Sequence, residues 1–131
     1  MIVVDASTML AYLLGAEGAD AVRARVAGER LAAPHVLDLE VASALRRFVR
    51  RKQSPPARAR EALGALAVVP LTRFPHTMLL ARIWQLRDNL SVYDAAYVAL
   101  AEALDAPLLT ADKRIAKAPG LHARIEVVTG A

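Results

Sequence analysis

Apolar positions along this chain fall into two kinds of segment: short continuous runs, and longer stretches with helical spacing. The first run, residues 2–5, is β-branched and predicts a buried parallel strand. Four further runs predict the remaining strands: Leu31–Ala33, Val68–Leu71, Pro107–Thr110 and Ile125–Val128. Leu31–Ala33 is short and is followed by Pro34, and we expect it at an edge of the sheet.

The longer stretches predict helices. The strongest covers residues 36–52, where apolar side chains recur on one face: Leu37, Val41, Ala44, Leu45 and Phe48. The other helices are expected at about Thr8–Leu14, Gly18–Ala27, Pro55–Leu66, His76–Arg87, Ser91–Leu104 and Asp112–Lys117. We expect Ser7 to cap the first helix and Gly15 to end it.

Strands that alternate with helices indicate an α/β fold. We expect a three-layer sandwich, with a central and mainly parallel sheet of four or five strands flanked by helices. At 131 residues, the chain fits a single domain over residues 1–131. Sites in such sheets form beyond the carboxyl ends of the strands. Asp5 ends the first strand and Asp112 follows strand 107–110, so both lie where a site is expected.

The composition narrows the possible chemistry. Hydrophobic residues make up 56% of the chain and aromatic residues only 5%, so Ala, Leu and Val must build the core. The absence of Cys excludes disulfides, thiolate zinc sites and a cysteine nucleophile, and is compatible with a reducing cytoplasm. No apolar run approaches the roughly 18 residues that cross a bilayer. We therefore expect a cytoplasmic protein with neither a signal peptide nor a membrane partner.

Four acidic residues stand at the ends of apolar segments or within them: Asp5, Glu40, Asp94 and Asp112. Carboxylates are disfavoured in apolar surroundings unless a cation or hydrogen bonds compensate them. Four that converge would repel one another and would need a metal ion. Their hard oxygen ligands suit Mg²⁺, or Mn²⁺ in its place.

Each acid also has a simpler interpretation. Asp5 could only cap the first helix, and Glu40 could pair with Arg47 at the rim of the core. Asp94 could interact with the dipole of its helix, and Asp112 could cap the short helix that follows it or pair with a neighbouring base. No single acid is decisive, and the inference depends on the set of four.

The charge balance points to a polyanionic partner. The net charge is +4, and an acidic cleft within a basic surface suits a polyanion that must approach bound metal. Arg47 and Arg51 lie on the same flank of their helix as Glu40 and are candidates for phosphate contacts, although a solvated face is the alternative. The hydroxyls of Ser7 and Thr110 could hold a phosphate oxygen or a water, or could serve as cap and turn groups.

Four segments, in this order along the chain, resemble the PIN-domain ribonucleases, and most of all the VapC toxins of bacterial toxin–antitoxin pairs. They are Ile2-Val-Val-Asp-Ala-Ser7, Glu40-Val-Ala-Ser-Ala-Leu-Arg46, Tyr93-Asp-Ala-Ala-Tyr-Val-Ala-Leu-Ala-Glu102 and Leu109-Thr-Ala-Asp-Lys-Arg114. Each segment alone is weakly specific, whereas the ordered set covers essentially the whole chain.

The resemblance implies a PIN-like fold and a site in which Asp5, Glu40, Asp94 and Asp112 bind Mg²⁺ or Mn²⁺. The family's small polar residue corresponds to Ser7, and the Thr of its last motif corresponds to Thr110. The implied reaction is hydrolysis of an RNA phosphodiester by in-line attack of metal-activated water. The implied partners are RNA, a cognate VapB-like antitoxin and a second copy of the chain.

A non-catalytic RNA-binding or scaffold protein of the same fold is the alternative. A haloacid-dehalogenase-like phosphatase is disfavoured, since it requires a second Asp where this chain has Ser7. The sequence leaves open the RNA target, the number of metal ions and the identity of the antitoxin.

Overall fold

The computed structural model describes residues 1–15 and 17–128, and its centre is a five-stranded, all-parallel sheet. The strands are β1 (Ile2–Val4), β2 (Leu31–Pro34), β3 (Leu71–Phe74), β4 (Leu108–Thr110) and β5 (Ile125–Val127). Their order across the sheet is β3-β2-β1-β4-β5. The central strands β1, β2 and β4 are buried along their whole length, which explains why their sequences are almost entirely apolar.

The helices are α1 (Ala6–Leu14), α2 (Ala19–Val26), α3 (Val36–Arg50), α4 (Pro56–Val68), α5 (Leu80–Gln85), α6 (Val92–Leu104) and α7 (Lys113–Lys117). Connections between parallel strands are right-handed, which places α1 to α4 over one face of the sheet and α5 to α7 over the other. In agreement, α1 contacts α2, α3 and α4, whereas α6 contacts α5. The predicted α/β sandwich is confirmed.

Two predicted elements differ from the structure in their bounds. The strand predicted at Val68–Leu71 is wrong, because α4 continues to Val68 and β3 starts only after Pro70. β3 pairs with β2 from Leu71 opposite Leu31, and this tertiary pairing decides the boundary. The predicted helix 76–87 is divided into a 3₁₀ turn at Thr77–Leu79 followed by α5.

The placement of Leu31–Ala33 at a sheet edge is also wrong. β2 pairs with β1 on one side and with β3 on the other, so its short apolar sequence reflects burial inside the sheet. The single domain predicted for residues 1–131 includes residue 16 and residues 129–131, which lie outside the described residues. Among the residues that are described, no helix is both long enough and apolar enough to cross a membrane.

Candidate active site

The fold brings all four predicted acids to the carboxyl edge of the sheet. Asp5 directly follows β1, and Asp112 lies two residues beyond the end of β4. Glu40 is in the second turn of α3, which starts just after β2 ends. Asp94 is in the first turn of α6, whose far end leads back to the start of β4. This edge of an open parallel sheet is where ligands bind.

Asp5 is the most deeply buried of the four acids, and only 4% of its surface is exposed. Its Oδ1 accepts hydrogen bonds from Ser7 Oγ at 2.7 Å and from the Thr8 backbone N–H at 2.9 Å. Its Oδ2 accepts one from Thr110 Oγ1 at 2.5 Å. Asp5 therefore caps α1, so the expectation that Ser7 would cap this helix is wrong.

The hydroxyls of Ser7 and Thr110 connect Asp5 to the loop that carries Asp112. Ser7 Oγ accepts from the Ala111 N–H at 3.0 Å, and Thr110 Oγ1 accepts from the Asp112 N–H at 3.0 Å. Both hydroxyls are thus engaged with groups of the protein, and both help to fix the direction of the Asp5 carboxylate. Their direct contact with a phosphate stays a prediction.

Glu40 is half-buried, and its Oε1 accepts a hydrogen bond from the Tyr97 hydroxyl at 2.6 Å. Burial raises the pKa of Glu40 above its usual value, and repulsion from Asp94 and Asp5 adds to the effect. The bond from Tyr97 opposes this shift. Within the part of the chain that is described, Glu40 makes no ion pair with Arg47, so the alternative interpretation of Glu40 is wrong.

Asp94 shares the electrostatic environment of Glu40. Burial raises the pKa of Asp94, and repulsion from Asp112 and Asp5 raises it further, against the opposing effects of Ser91 and Arg114. Ser91 caps α6 by accepting from the Asp94 backbone N–H at 3.1 Å. Asp94 thus lies in the first turn of α6, and the negative charges of Asp112 and Asp5 also act on it.

Asp112 is turned towards Arg114. Its Oδ2 accepts from Arg114 Nη2 at 2.6 Å, and its Oδ1 accepts from Arg114 Nε at 3.1 Å and from the Arg114 backbone N–H at 2.9 Å. The guanidinium holds the pKa of Asp112 below its usual value. Asp112 also caps α7, so both simpler interpretations of this residue hold in the structure.

The acids fit a hard divalent cation in their chemistry. All four donors are carboxylates, and burial together with repulsion from neighbouring carboxylates disfavours ionisation of Glu40 and Asp94. Among residues 1–15 and 17–128, however, no three carboxylate, imidazole or thiol groups lie close enough together to hold one ion. The shared metal site therefore stays a prediction.

Arg47 and Arg51 lie outside this cluster of acids. Both are exposed; Arg47 is in the last turn of α3, and Arg51 directly follows the helix. At about 1.5 Å per residue, they lie roughly 10 and 16 Å beyond Glu40 along the helix axis. A contact with the group undergoing reaction is therefore not indicated, although both could reach more distant phosphates of a long substrate.

Two residues of the site were not identified in the sequence. Tyr97 donates a hydrogen bond to Glu40; a phenol in the almost wholly apolar α6 was the available signal, because a buried hydroxyl needs a partner. Arg114 was considered only as a pairing alternative for Asp112, and nothing in its spacing reveals that its charge also acts on Asp94.

Comparison with known proteins identifies the family of this chain. The PIN domain family matches residues 2–121. Ribonuclease VapC9 of Mycobacterium tuberculosis is 48% identical over 128 residues, covering 98% of each chain. Ribonuclease VapC1 of the same organism is 48% identical over 129 residues, covering 96% of each chain.

A solved structure extends the likeness to three dimensions. The crystal structure of VapBC2 from Rickettsia felis, bound to a DNA fragment from their promoter, matches with a TM-score of 0.69 and 12% identity. The match covers 97% of this chain and 98% of that chain, and at such low identity it supports the fold alone. The two curated relatives and the family match carry the stronger conclusion: this chain belongs to the PIN-domain family and, within it, to the VapC ribonucleases.

Proposed function

We propose that this chain is a metal-dependent endoribonuclease that hydrolyses RNA phosphodiesters and acts as the toxin of a toxin–antitoxin pair. The observation that carries the proposal is the buried Asp5 at the end of β1, fixed by three hydrogen bonds at the same edge of the sheet as Glu40 and Asp94, whose pKa values are raised by burial and by repulsion from other carboxylates. The names of the curated relatives, ribonucleases 48% identical over nearly the full chain, support the choice of RNA.

The residues divide the work by position. Asp5, Glu40 and Asp94 would hold the cation, with Asp112 completing the acidic edge. A bound Mg²⁺ or Mn²⁺ supplies positive charge that acidifies a water and offsets the charge on the scissile phosphate. Ser7 and Thr110 orient Asp5 through its two oxygens.

Arg114 is the cation nearest to these acids, and 85% of its side chain is exposed. It is therefore able to turn from Asp112 to an incoming phosphate. Arg47 and Arg51 would bind the RNA backbone further from the cut, where contacts are electrostatic and independent of sequence. We place this activity in the cytoplasm, where the proposed substrate is found.

A VapB-like antitoxin is the proposed partner. Membership of the VapC ribonucleases, which rests on relatives 48% identical over nearly the full chain, supports this pairing. A second copy of the chain is the other proposed partner, because a patch of large apolar side chains is exposed beside the acidic edge. The patch comprises Met78, Leu80, Trp84, Val92 and Tyr93, and it borders a cavity of about 200 Å³. Apolar patches of this kind mark interaction surfaces.

Cleavage of RNA by purified protein with Mn²⁺ tests the proposal. We expect Asp5→Asn to lower cleavage by at least about 100-fold, the usual effect of removing one electrostatic group from an active site. Asp88→Asn, an equivalent change at an exposed Asp, should leave cleavage unchanged. Binding of RNA without any cleavage by the parent protein would favour the non-catalytic alternative, and equal cleavage by parent and Asp5→Asn would refute the site.

A further inference from the structure

Tyr97 is buried in a part of α6 where every other side chain is apolar. Its side chain is 1% exposed, and all residues from Ala95 to Ala101 are buried. Its hydroxyl donates to Oε1 of Glu40 at 2.6 Å. A Phe would fill the same space without needing a hydrogen-bond partner, so the hydroxyl has a purpose beyond packing.

The bond between Tyr97 and Glu40 crosses from one helical layer to the other. Glu40 belongs to α3 and Tyr97 to α6, and the two residues are 57 positions apart in the sequence. Tyr97 follows Asp94 by three residues on α6, so both point to neighbouring parts of one helix face. Through this bond, the helix that carries Asp94 also holds Glu40.

Without the hydrogen bond from Tyr97, we expect the Glu40 side chain to turn away from the other acids. Its side chain is long and rotatable, and the charges of Asp94 and Asp5 push it towards solvent. The Tyr97 hydroxyl occupies Oε1 only. Within the described part of the chain, Oε2 accepts no hydrogen bond from the protein and is not buried, so it is free to accept a ligand.

We propose that Tyr97 is a positioning residue of the nuclease site, which holds the Glu40 carboxylate beside Asp5 and Asp94 and leaves one of its oxygens for a divalent cation. The inference rests on the proposed function, since it assigns Tyr97 a role in preparing that site. Groups that orient metal ligands typically change metal affinity by about 10- to 100-fold when they are removed.

The affinity of Tyr97→Phe for Mn²⁺ tests this role without a cleavage assay. Electron paramagnetic resonance measures the concentration of free Mn²⁺ during the titration. We expect an affinity about tenfold lower than that of the parent protein. At saturating Mn²⁺, cleavage of RNA should return to within about threefold of the parent rate, because the acids themselves remain. Tyr12→Phe is the matched control: it removes a hydroxyl from α1, in the other helical layer, and should bind Mn²⁺ like the parent.

A double-mutant cycle separates positioning from general damage. If Tyr97 acts through Glu40, Tyr97→Phe will have no further effect on Mn²⁺ affinity in a Glu40→Gln background. A loss that is equal in both backgrounds would show that the hydroxyl only supports the fold, and would overturn the inference. Glu40→Asp is a second variant that leaves the core intact: its shortened side chain should no longer reach the hydroxyl, and Mn²⁺ affinity should fall as in Tyr97→Phe.

The remaining outcomes distinguish this inference from the proposed function. If the parent binds Mn²⁺ and Asp5→Asn abolishes cleavage, while Tyr97→Phe binds Mn²⁺ as tightly as the parent, only the role of Tyr97 is refuted. If the parent does not bind Mn²⁺, or if Asp5→Asn cleaves normally, the proposed function fails and the role of Tyr97 fails with it.

Discussion

The hydroxyl of Thr110 donates a hydrogen bond to Oδ2 of Asp5, and this bond joins the ends of the adjacent strands β1 and β4. Thr110 is fully buried, and its oxygen also accepts from the Asp112 N–H. One hydroxyl therefore fixes the direction of one acid and the backbone beside another. The Thr110 hydroxyl therefore links the side chain of Asp5 to the backbone of Asp112 at the carboxyl ends of β1 and β4, where the candidate site lies.

Thr110→Val should destabilise the protein, because Val keeps the shape of Thr but cannot make either hydrogen bond. Leaving a buried acceptor and a backbone donor unpaired costs about 1–3 kcal/mol. Urea denaturation of the two proteins measures the difference in the free energy of unfolding. Thr72→Val, the same change at an exposed position of β3, should alter this free energy by less than about 0.5 kcal/mol. Equal effects of the two substitutions would contradict the role given to the Thr110 hydroxyl.

Glu40 and Asp94 should make the metal-free protein less stable as the pH rises. Burial raises the pKa of both carboxyl groups, and repulsion by neighbouring carboxylates adds to it. The folded chain therefore keeps protons that the unfolded chain has already released. Because the folded state binds more protons in this window, the free energy of unfolding falls as the pH rises from the unfolded pKa through the raised folded pKa.

Variants that replace either carboxyl group by a neutral amide measure this loss of stability. With chelator present, Asp94→Asn and Glu40→Gln should unfold at higher temperature than the parent near about pH 7, and the gain should disappear near about pH 4, where the carboxyl groups of both states take up protons. Asp88→Asn controls for loss of an exposed carboxylate. A gain that is the same at both pH values would exclude ionisation of these two acids as its source.

The sequence was sufficient to predict the positions of the acids along the fold, because strand ends depend on local patterns. An apolar run ending in Asp5 indicates a buried strand and a carboxylate at its carboxyl end, and both are found. The boundary between α4 and β3 was not predictable in the same way. Val68 is β-branched and precedes Pro70, so local preference suggests a strand, yet pairing with β2 starts at Leu71 and leaves Val68 at the end of a helix.

Contacts between distant segments were the main feature that the sequence could not reveal. Glu40 meets Tyr97 because two helices from opposite faces of the sheet meet over its edge, and no local spacing encodes that meeting. The same holds for β2, whose three apolar residues fit an edge strand as well as an interior one. Asp5 has two roles at once, as helix cap and as site residue, whereas the sequence had presented them as alternatives.

Arg114→Gln should increase the affinity of the site for Mn²⁺. The guanidinium binds both oxygens of Asp112 and so competes with any cation for that carboxylate. Removing the competitor should tighten Mn²⁺ binding several-fold, whereas stability should change by less than about 1 kcal/mol because the Arg114 side chain is 85% exposed. Calorimetric titration with Mn²⁺ measures the change. Lys113→Gln removes the adjacent positive charge and is the control; an equal effect of both variants would assign the change to net charge alone.

Trp84→Glu should dissociate the proposed homodimer. Trp84 lies on α5 within the apolar patch beside the cavity, and it is 62% exposed. The Cζ atom of Arg87 lies 4.5 Å from the centre of its ring. Aromatic residues at the centre of an interface often contribute at least about 2 kcal/mol, so the dimer should weaken by about 30-fold or more. Light scattering across a concentration series measures the mass. Val68→Glu changes an exposed apolar residue in the other helical layer and should leave the mass unaltered; a parent protein that is monomeric throughout would refute the dimer.

Arg47→Gln together with Arg51→Gln should weaken RNA binding in a manner that depends on salt. Each phosphate contact to a single strand contributes about 0.7 to the slope of log affinity against log salt concentration, so losing two contacts should reduce the slope by about 1.4. Both arginines are exposed and are separated from the acids by more than one helical turn, so cleavage at saturating RNA should be little changed.

Fluorescence anisotropy with an Asp5→Asn background, which prevents cleavage, gives the affinity at several salt concentrations. Arg30→Gln together with Arg124→Gln is the matched control, because both arginines are exposed and precede β2 and β5 at the opposite, amino edge of the sheet. Loss of net charge alone would reduce the slope equally for the control and for the Arg47 and Arg51 variant. A larger reduction in the latter therefore indicates phosphate contacts made by Arg47 and Arg51. If the slope of the Arg47 and Arg51 variant equals that of the parent, RNA does not follow the end of α3, and its path from the acidic edge must run across other elements.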